Sequence, residues 1–223
     1  MDCESIKQKN IVFDFDGTMC LLFKNYKLDG IKHRLHEDLL HFNIEFSEKL
    51  DAFDVFEIVI AQTQENMFLR TEALSTVNKI ITNAEVEAVE TGDLVDGVQY
   101  AFEYLVKNGY QVGVATNNSE ECVRNFMKKI SIDRDIPIVG RVGVRPDLMK
   151  PNTWSLEQVI KKMEVRPEEI VFVGDTQRDF ECAKRTGCGF IGMAPTDKKR
   201  VRLEMLLKNE VMVSNFYELL RYL

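Results

Sequence analysis

The chain has 223 residues, 45% hydrophobic and 29% charged, with only 12 Gly and 5 Pro. This excludes collagen-like, disordered and disulfide-stapled miniature classes and leaves apolar surface for one sizeable core carrying an insertion. Acids outnumber bases 36 to 29, a net charge of −7, so the basic excess that binds a phosphate backbone is missing and no nucleic-acid partner is expected.

Residues 1–10 are polar where a signal peptide needs an apolar stretch, and no apolar run approaches the roughly 20 residues of a membrane span. Cys3, Cys20, Cys122, Cys182 and Cys188 are odd in number and contain no CxxC pair, which argues against a disulfide framework or a zinc knuckle. A cytoplasmic protein without a membrane partner is the expectation.

Ile11 to Phe15 is a short apolar run of strand formers that ends in the turn residues Asp16-Gly17. Residues 19–91 then carry helical patterns with almost no strand candidates. The clearest runs from Gln64 to about Glu90, with Met67, Phe68, Ala73, Leu74, Val77, Ile80, Ile81, Ala84 and Ala88 at helical spacings. A second stretch starts at Ser47 and carries Leu50, Phe53, Phe56 and Ile60. Beyond residue 91 the rhythm is regular. A helix from Val98 to Asn108 stops at Gly109, and a strand follows over Tyr110 to Ala115. Ile136 to Gly140 reads as a strand pushed to an edge by Pro137, Ile170 to Gly174 as the strongest strand, and Gly189 to Gly192 as another. Helices are expected over Val123–Lys129, Trp154–Met163 and Phe180–Arg185. Strands alternating with helices predict an α/β fold with a mostly parallel sheet, its ligand beyond the carboxyl ends of the strands.

Alternation along a strand puts Asp14 and Asp16 together at its tip while Phe13 and Phe15 turn into the apolar layers. Two carboxylates ~4 Å apart repel by about 4 kcal/mol at an effective dielectric near 20, so such a tip calls for a cation or a raised pKa. An exposed acidic turn would explain a lone Asp-Xaa-Asp, but not an Asp interrupting a buried run. A second acidic tip follows another apolar strand: Asp175, with Asp179 about one helical turn on. Helix capping by Asp175 or Thr176 accounts for one of these acids, not both. Thr116-Asn117-Asn118-Ser119 closes the Tyr110 strand before a helix start, a cluster suited either to capping or to an oxyanion. Lys150 stands in a loop before a helix, where a lone lysine is ordinarily solvated.

In the order Asp14/Asp16, Thr116, Lys150, Asp175/Asp179, these elements resemble the four motifs of the haloacid dehalogenase-like hydrolase superfamily. Phe13-Asp14-Phe15-Asp16-Gly17-Thr18 matches its first motif throughout, and Gly174-Asp175 through Asp179 its fourth. The resemblance implies a Rossmann-like three-layer core with a central parallel sheet, formed by residues 1–18 and 92–223. Asp14 to Thr116 spans 102 positions but Thr116 to Lys150 only 34, which places an inserted α-helical cap at 19–91, as in phosphoglycolate phosphatases and beta-phosphoglucomutases.

By that resemblance Asp14 would be the nucleophile, forming an aspartyl-phosphate, and Asp16 the proton donor and acceptor. Mg²⁺ would be held by Asp14, Asp175, the backbone carbonyl of Asp16, and Asp179 directly or at one remove. Thr116, the Asn117 backbone and Lys150 would bind the phosphoryl oxygens. An aspartate at position 16 favours phosphoryl transfer, since family members that cleave carbon–halogen bonds lack it. The expectation is a magnesium-dependent phosphatase of a small organic phosphomonoester. A phosphomutase is the alternative, and a non-catalytic phosphate-binding module the alternative of another class. Met19-Cys20-Leu21-Leu22 departs from the hydrophobic pair and Asp-Ser that often follow the first motif, which leaves the substrate open. Lys24, Tyr26 and Arg70 are cap polar candidates for specificity; Lys24, Lys27 and Lys32 are not marked as reactive amines. Cys20 reads as a packed hydrophobe, and His33, His36 and His41 as a solvated helix face. Lys198-Lys199-Arg200 reads as a solvated helix start, and Trp154 as a residue packing a helix on the sheet. Oligomeric state, monomer or homodimer, is left open.

Overall fold

The computed structural model describes residues 9–47, 50, 54–132, 135–207 and 210–223. Cys3, Phe53 and the polar residues 1–8 lie outside them. A six-stranded sheet is built from β1 (Asn10–Phe13), β4 (Gln111–Ala115), β5 (Ile138–Val139), β6 (Ile170–Gly174), β7 (Gly189–Met193) and β8 (Val211–Val213). Its order is β5-β4-β1-β6-β7-β8, with every neighbouring pair parallel. β1 sits at the centre, Val12 opposite Gly113 on one side and Phe172 on the other. Burial on both faces explains why the strand reads as a continuous apolar run rather than an alternating one.

Helices cover both faces. α4 (Val98–Lys107), α5 (Glu120–Lys129) and the short α9 (Phe216–Leu219) close one apolar layer around Ile11, Phe13 and Phe15. In it the Phe13 ring lies 5.1 Å from Phe102 and 5.5 Å from Phe216, and Phe15 meets Phe126 edge-on at 5.0 Å. α6 (Trp154–Met163), α7 (Gln177–Thr186) and α8 (Asp197–Leu206) form the other layer with Val12, Phe172 and Phe190. Trp154 packs against this second layer, as expected. α6 presses directly onto the sheet: a Cβ on Gly113 would lie 2.5 Å from Val159 Cγ1. Burying one phenylalanine side chain contributes about 2 kcal/mol, so these layers dominate the core's stabilisation.

Between β1 and α4 the chain leaves the sheet and returns. β2 (Cys20–Leu21) pairs antiparallel with β3 (Asp93–Leu94), tying the outgoing and incoming segments together. Lys24 Nζ on Asp93 at 2.6 Å and Asn25 Nδ2 on the Thr91 carbonyl at 2.9 Å fasten the same junction. Between lie α1 (Asp29–Leu40), α2 (Val55–Gln62) and the 25-residue α3 (Met67–Thr91), packed on an apolar cluster of their own that includes Leu35, Leu39, Phe56, Leu74 and Val77. Asn66 caps α3 by accepting from the Leu69 amide, so that helix starts three residues after the expected Gln64. Of the stretch expected from Ser47, the described residues form a helix over Val55–Gln62, and α1 was foreshadowed only by its histidines. Met19, Cys20, Leu22, Ala88 and Val89 belong to the core's apolar layer, so both ends of the 19–91 segment are rooted in it. Among the described residues no helix is long and apolar enough to cross a membrane.

Candidate active site

Asp14 follows β1 directly, its amide donating to the Val173 carbonyl at 2.8 Å, so the carboxylate stands at the carboxyl end of the central strand. Asp175 stands at the end of β6, and Asp179 is the third residue of α7. Carboxylate oxygens of Asp14, Asp175 and Asp179 all lie within 4.8 Å of one another, and all three residues are buried. Burial, then the neighbouring Asp179 charge, raises the Asp14 pKa. Burial likewise pushes Asp175 up to about 8, against the pull of Lys199.

Lys150 is the counter-charge, and it is buried rather than solvated. Its Nζ donates to Asp14 Oδ1 at 2.6 Å, Asp179 Oδ1 at 2.5 Å and the Ala115 carbonyl at 3.1 Å, and lies over the Phe172 ring. Burial disfavours the ammonium, but Asp14 and then Asp179 outweigh it and hold the Lys150 pKa above the ordinary lysine value. Asp179 has a second task. Its Oδ2 accepts from the Thr176 amide at 3.0 Å and hydroxyl at 2.5 Å, while Thr176 Oγ1 accepts the Asp179 amide, a capping box that fixes the start of α7. Of the two expected cap candidates, Asp175 and Thr176, it is Thr176 that caps α7, and Asp179 joins the cap while also facing the cluster.

Asp16 stands outside the carboxylate cluster and is half-buried. Its Oδ1 accepts the Leu22 amide at 2.9 Å, and burial raises its pKa to about 6. Gly17 makes the turn in the left-handed region at φ 88°, and Thr18 Oγ1 reaches Asp175 Oδ1 at 3.5 Å. Thr116 is buried at the end of β4, where its Oγ1 accepts the Asn118 amide at 3.2 Å. Asn117 and Lys150 clasp each other: Asn117 Nδ2 donates to the Lys150 carbonyl at 3.2 Å, and the Lys150 amide to Asn117 Oδ1 at 2.8 Å. Ser119 caps α5. The structure thus gathers Asp14, Lys150, Asp175 and Asp179, with Asp16, Thr116 and Asn117 on the adjoining loops.

Three residues were missed by sequence reasoning. Lys199, read as part of a solvated helix start, turns inward and pairs with Asp175 Oδ2. Glu85 and Arg141 form a buried ion pair beside the 116–119 loop. Only the apolar neighbours of Glu85 on α3, Ile81, Ala84 and Ala88, hinted that an acid there is buried. Cys20 is buried, and desolvation pushes its thiol up to about 12, as befits a packed hydrophobe. His36 departs from the expected solvated face: it packs edge-on against Phe46, whereas His33 is exposed and pairs with Glu37. Lys24 and Arg70 are engaged by Asp93 and by the Thr63 and Gln64 carbonyls. A surface hollow of about 430 Å³ between Leu94 and Gln99, walled by Tyr100 and Tyr217, holds none of the motif residues. The converging charges, not cavity size, mark the candidate site.

Known proteins are similar to this chain over most of its length. Pyrophosphatase PpaX of Bacillus thuringiensis (strain Al Hakam) is 25% identical over 229 residues, covering 96% of each chain. The PpaX of Bacillus mycoides (strain KBAB4) is 22% identical over 202 residues, covering 89% of each. A hydrolase from Pseudomonas syringae superimposes with a TM-score of 0.67 at 18% identity, covering 96% of this chain and 97% of that one. A predicted phosphoglycolate phosphatase from Haemophilus somnus 129PT does so at 0.64 and 20%, with the same coverage. The family model for haloacid dehalogenase-like hydrolases matches residues 11–193, from the first strand of the core to the end of β7. The chain belongs to the haloacid dehalogenase-like hydrolases and is an enzyme of that family.

Proposed function

We propose that this enzyme is a magnesium-dependent phosphatase of small organic phosphomonoesters, acting through an aspartyl-phosphate on Asp14. One observation carries the reading: a buried carboxylate at the tip of the central strand faces a buried lysine and two further acids, with a carboxyl of pKa about 6 two residues on. Attack needs Asp14 ionised, and Lys150 favours that form against burial. The Asp14 carboxylate forms a bond to phosphorus as the bond to the leaving oxygen breaks, and Asp16 gives that oxygen its proton. Asp16 then takes a proton from water as the water oxygen attacks phosphorus, releasing inorganic phosphate and restoring Asp14. A pKa near the working pH suits both halves of this exchange. Thr116, the Asn117 backbone and Lys150 hold the phosphoryl oxygens while charge shifts across them.

The donor set fits a hard divalent cation: buried oxygens, close together, with charge in need of compensation. Asp14, Asp175 and the Asp16 carbonyl would hold magnesium, which supplies charge neutralisation to the phosphoryl group. Asp179, occupied by Lys150 and the capping box, supports the site through Lys150. Residues 19–91 serve as the cap that closes over the substrate and selects it. The four described cysteines are free and buried, which suits a reducing cytoplasm.

Pyrophosphate is a second substrate class, favoured by the two PpaX relatives, and the same residues serve it with phosphate as leaving group. Turnover of p-nitrophenyl phosphate with magnesium, lost in Asp14→Asn, is the expected result. No turnover with or without magnesium, or full activity in Asp14→Asn, overturns the reading. Release of inorganic phosphate, rather than isomerisation of a sugar phosphate, separates a phosphatase from a phosphomutase.

A further inference from the structure

The face of α3 turned towards the core carries a polar cluster that the chemistry above does not use. Glu85 is fully buried, and both its oxygens are engaged. Oε1 accepts from Arg141 Nη1 at 2.9 Å and Asn118 Nδ2 at 3.1 Å, and Oε2 from the Ser119 amide at 2.9 Å and Arg141 Nη2 at 3.3 Å. The Arg141 side chain, equally shielded from solvent, also donates to Asn78 Oδ1 at 2.9 Å, Thr82 Oγ1 at 3.2 Å and the Asn117 carbonyl at 2.8 Å. Asn78, Thr82 and Glu85 are spaced four and three apart, so one helical face presents all three acceptors. Two glycines permit the close approach. A Cβ on Gly140 would lie 2.5 Å from the Glu120 amide nitrogen, and one on Gly143 would overlap the Asn78 side chain.

The contacts continue to the site. Asn117, whose carbonyl Arg141 holds, clasps the Lys150 backbone through its side-chain amide, and Lys150 Nζ reaches Asp14 and Asp179. We propose that Glu85 and Arg141 are positioning residues that lock α3 to the 116–119 loop, so that the seating of the helical segment sets how Asn117 and Lys150 meet a phosphoryl group. The kinetic part of this inference rests on the phosphatase reading; its binding part does not. Stability alone is a weak reason for the pair, since a buried ion pair replaced by well-packed apolar residues is often neutral or stabilising.

That contrast supplies the test. Glu85→Gln and Arg141→Met each leave buried polar groups unpaired and lower Tm. The paired variant Glu85→Met/Arg141→Met leaves no uncompensated charge and recovers the part of that loss due to charge, while the Ser119 amide and the Asn78 and Asn117 oxygens lose their partners. The inference expects this paired variant, when folded, to keep a defect of about tenfold in its affinity for inorganic phosphate, measured by calorimetry with magnesium, and in kcat/KM for p-nitrophenyl phosphate. Arg141→Lys, which keeps the charge but not the fork of donors, recovers part of the phosphate affinity. Wild-type phosphate affinity in a folded paired variant overturns the inference. If the paired variant does not fold, Arg141→Lys decides: weakened phosphate binding supports the positioning role, and unchanged binding overturns it. A wild-type protein that binds phosphate but turns nothing over refutes the phosphatase reading alone, and the phosphate affinities still decide this one.

Discussion

Replacing Lys150 by methionine keeps the bulk of the side chain and removes the one charge that sits between Asp14 and Asp179. The side chains of Lys150, Asp14 and Asp179 are 3%, 9% and 1% exposed, so solvent cannot take over the role of the ammonium. Breaking a buried pair in this way costs about 3–5 kcal/mol. For a domain of this size each kcal/mol moves Tm by roughly 2–4 °C, so the metal-free variant should melt some 6–20 °C below wild type near neutral pH. The deficit has a defined pH dependence. Lys150 is what lowers the Asp14 pKa against burial and the Asp179 charge, so without it the Asp14 carboxylate is easier to protonate than in wild type or in the unfolded chain. Stability of the variant relative to wild type therefore recovers on acidification, to be read over an assay range of about pH 8 to about pH 5. Thermal melts of both proteins in chelator across that range provide the assay. A variant within ~2 °C of wild type near pH 8, or a deficit that grows on acidification, would refute the reasoning.

Asp16→Asn should reduce kcat by about 10²–10⁴-fold on an alkyl phosphate and far less on p-nitrophenyl phosphate, whose phenolate leaves without a proton; equal losses on the two would contradict the assigned role. The folded-state pKa of Asp16, about 6, exceeds its reference value of 3.8, so its protonated form favours folding and that stability is lost as pH rises from about 4 through 6. Metal-free Asp16→Asn, which cannot ionise, should thus gain on the order of 3 kcal/mol over wild type between those limits in urea unfolding, and a flat difference counts against it. In Gly17→Ala the new Cβ, at φ 88°, would overlap the Asp175 carboxylate and the Lys199 ammonium. Weaker magnesium binding and a lower Tm are expected, and calorimetry that finds wild-type affinity argues otherwise. Lys199→Met frees Asp175 of its ion pair, so magnesium should bind more tightly than to wild type; unchanged affinity would mean that the pair does not compete.

Much of the core was legible because burial on both faces leaves a plain signature. Ile11–Phe15 and Ile170–Gly174 are apolar runs ending in acids, and they became adjacent central strands with those acids at their tips. The β1 ladder ends two residues before the apolar run does, because Asp14 to Gly17 turn away to form the site. Pro137 correctly marked β5 as an edge. The two-residue β2 and β3 and the three-residue β8 are too short to show any period, and the four-residue α9 gives one turn at most. Charges were harder to read. Lys150 was recoverable only through its place among the motifs, and Lys199 lay hidden in a basic run of the kind that is usually solvated. Glu85 and Arg141 stand 56 positions apart, and nothing local to either shows that the fold brings them together.

The claim at the centre of this account is that Asp14 carries the phosphoryl group in transit. Turnover of an excess of phosphomonoester with magnesium, stopped rapidly in acid and followed by peptide mass spectrometry, should find one acid-stable, base-labile phosphoryl group on the peptide containing Asp14, absent from Asp14→Asn. Steady release of phosphate with no such adduct, or with the adduct on another residue, would contradict it.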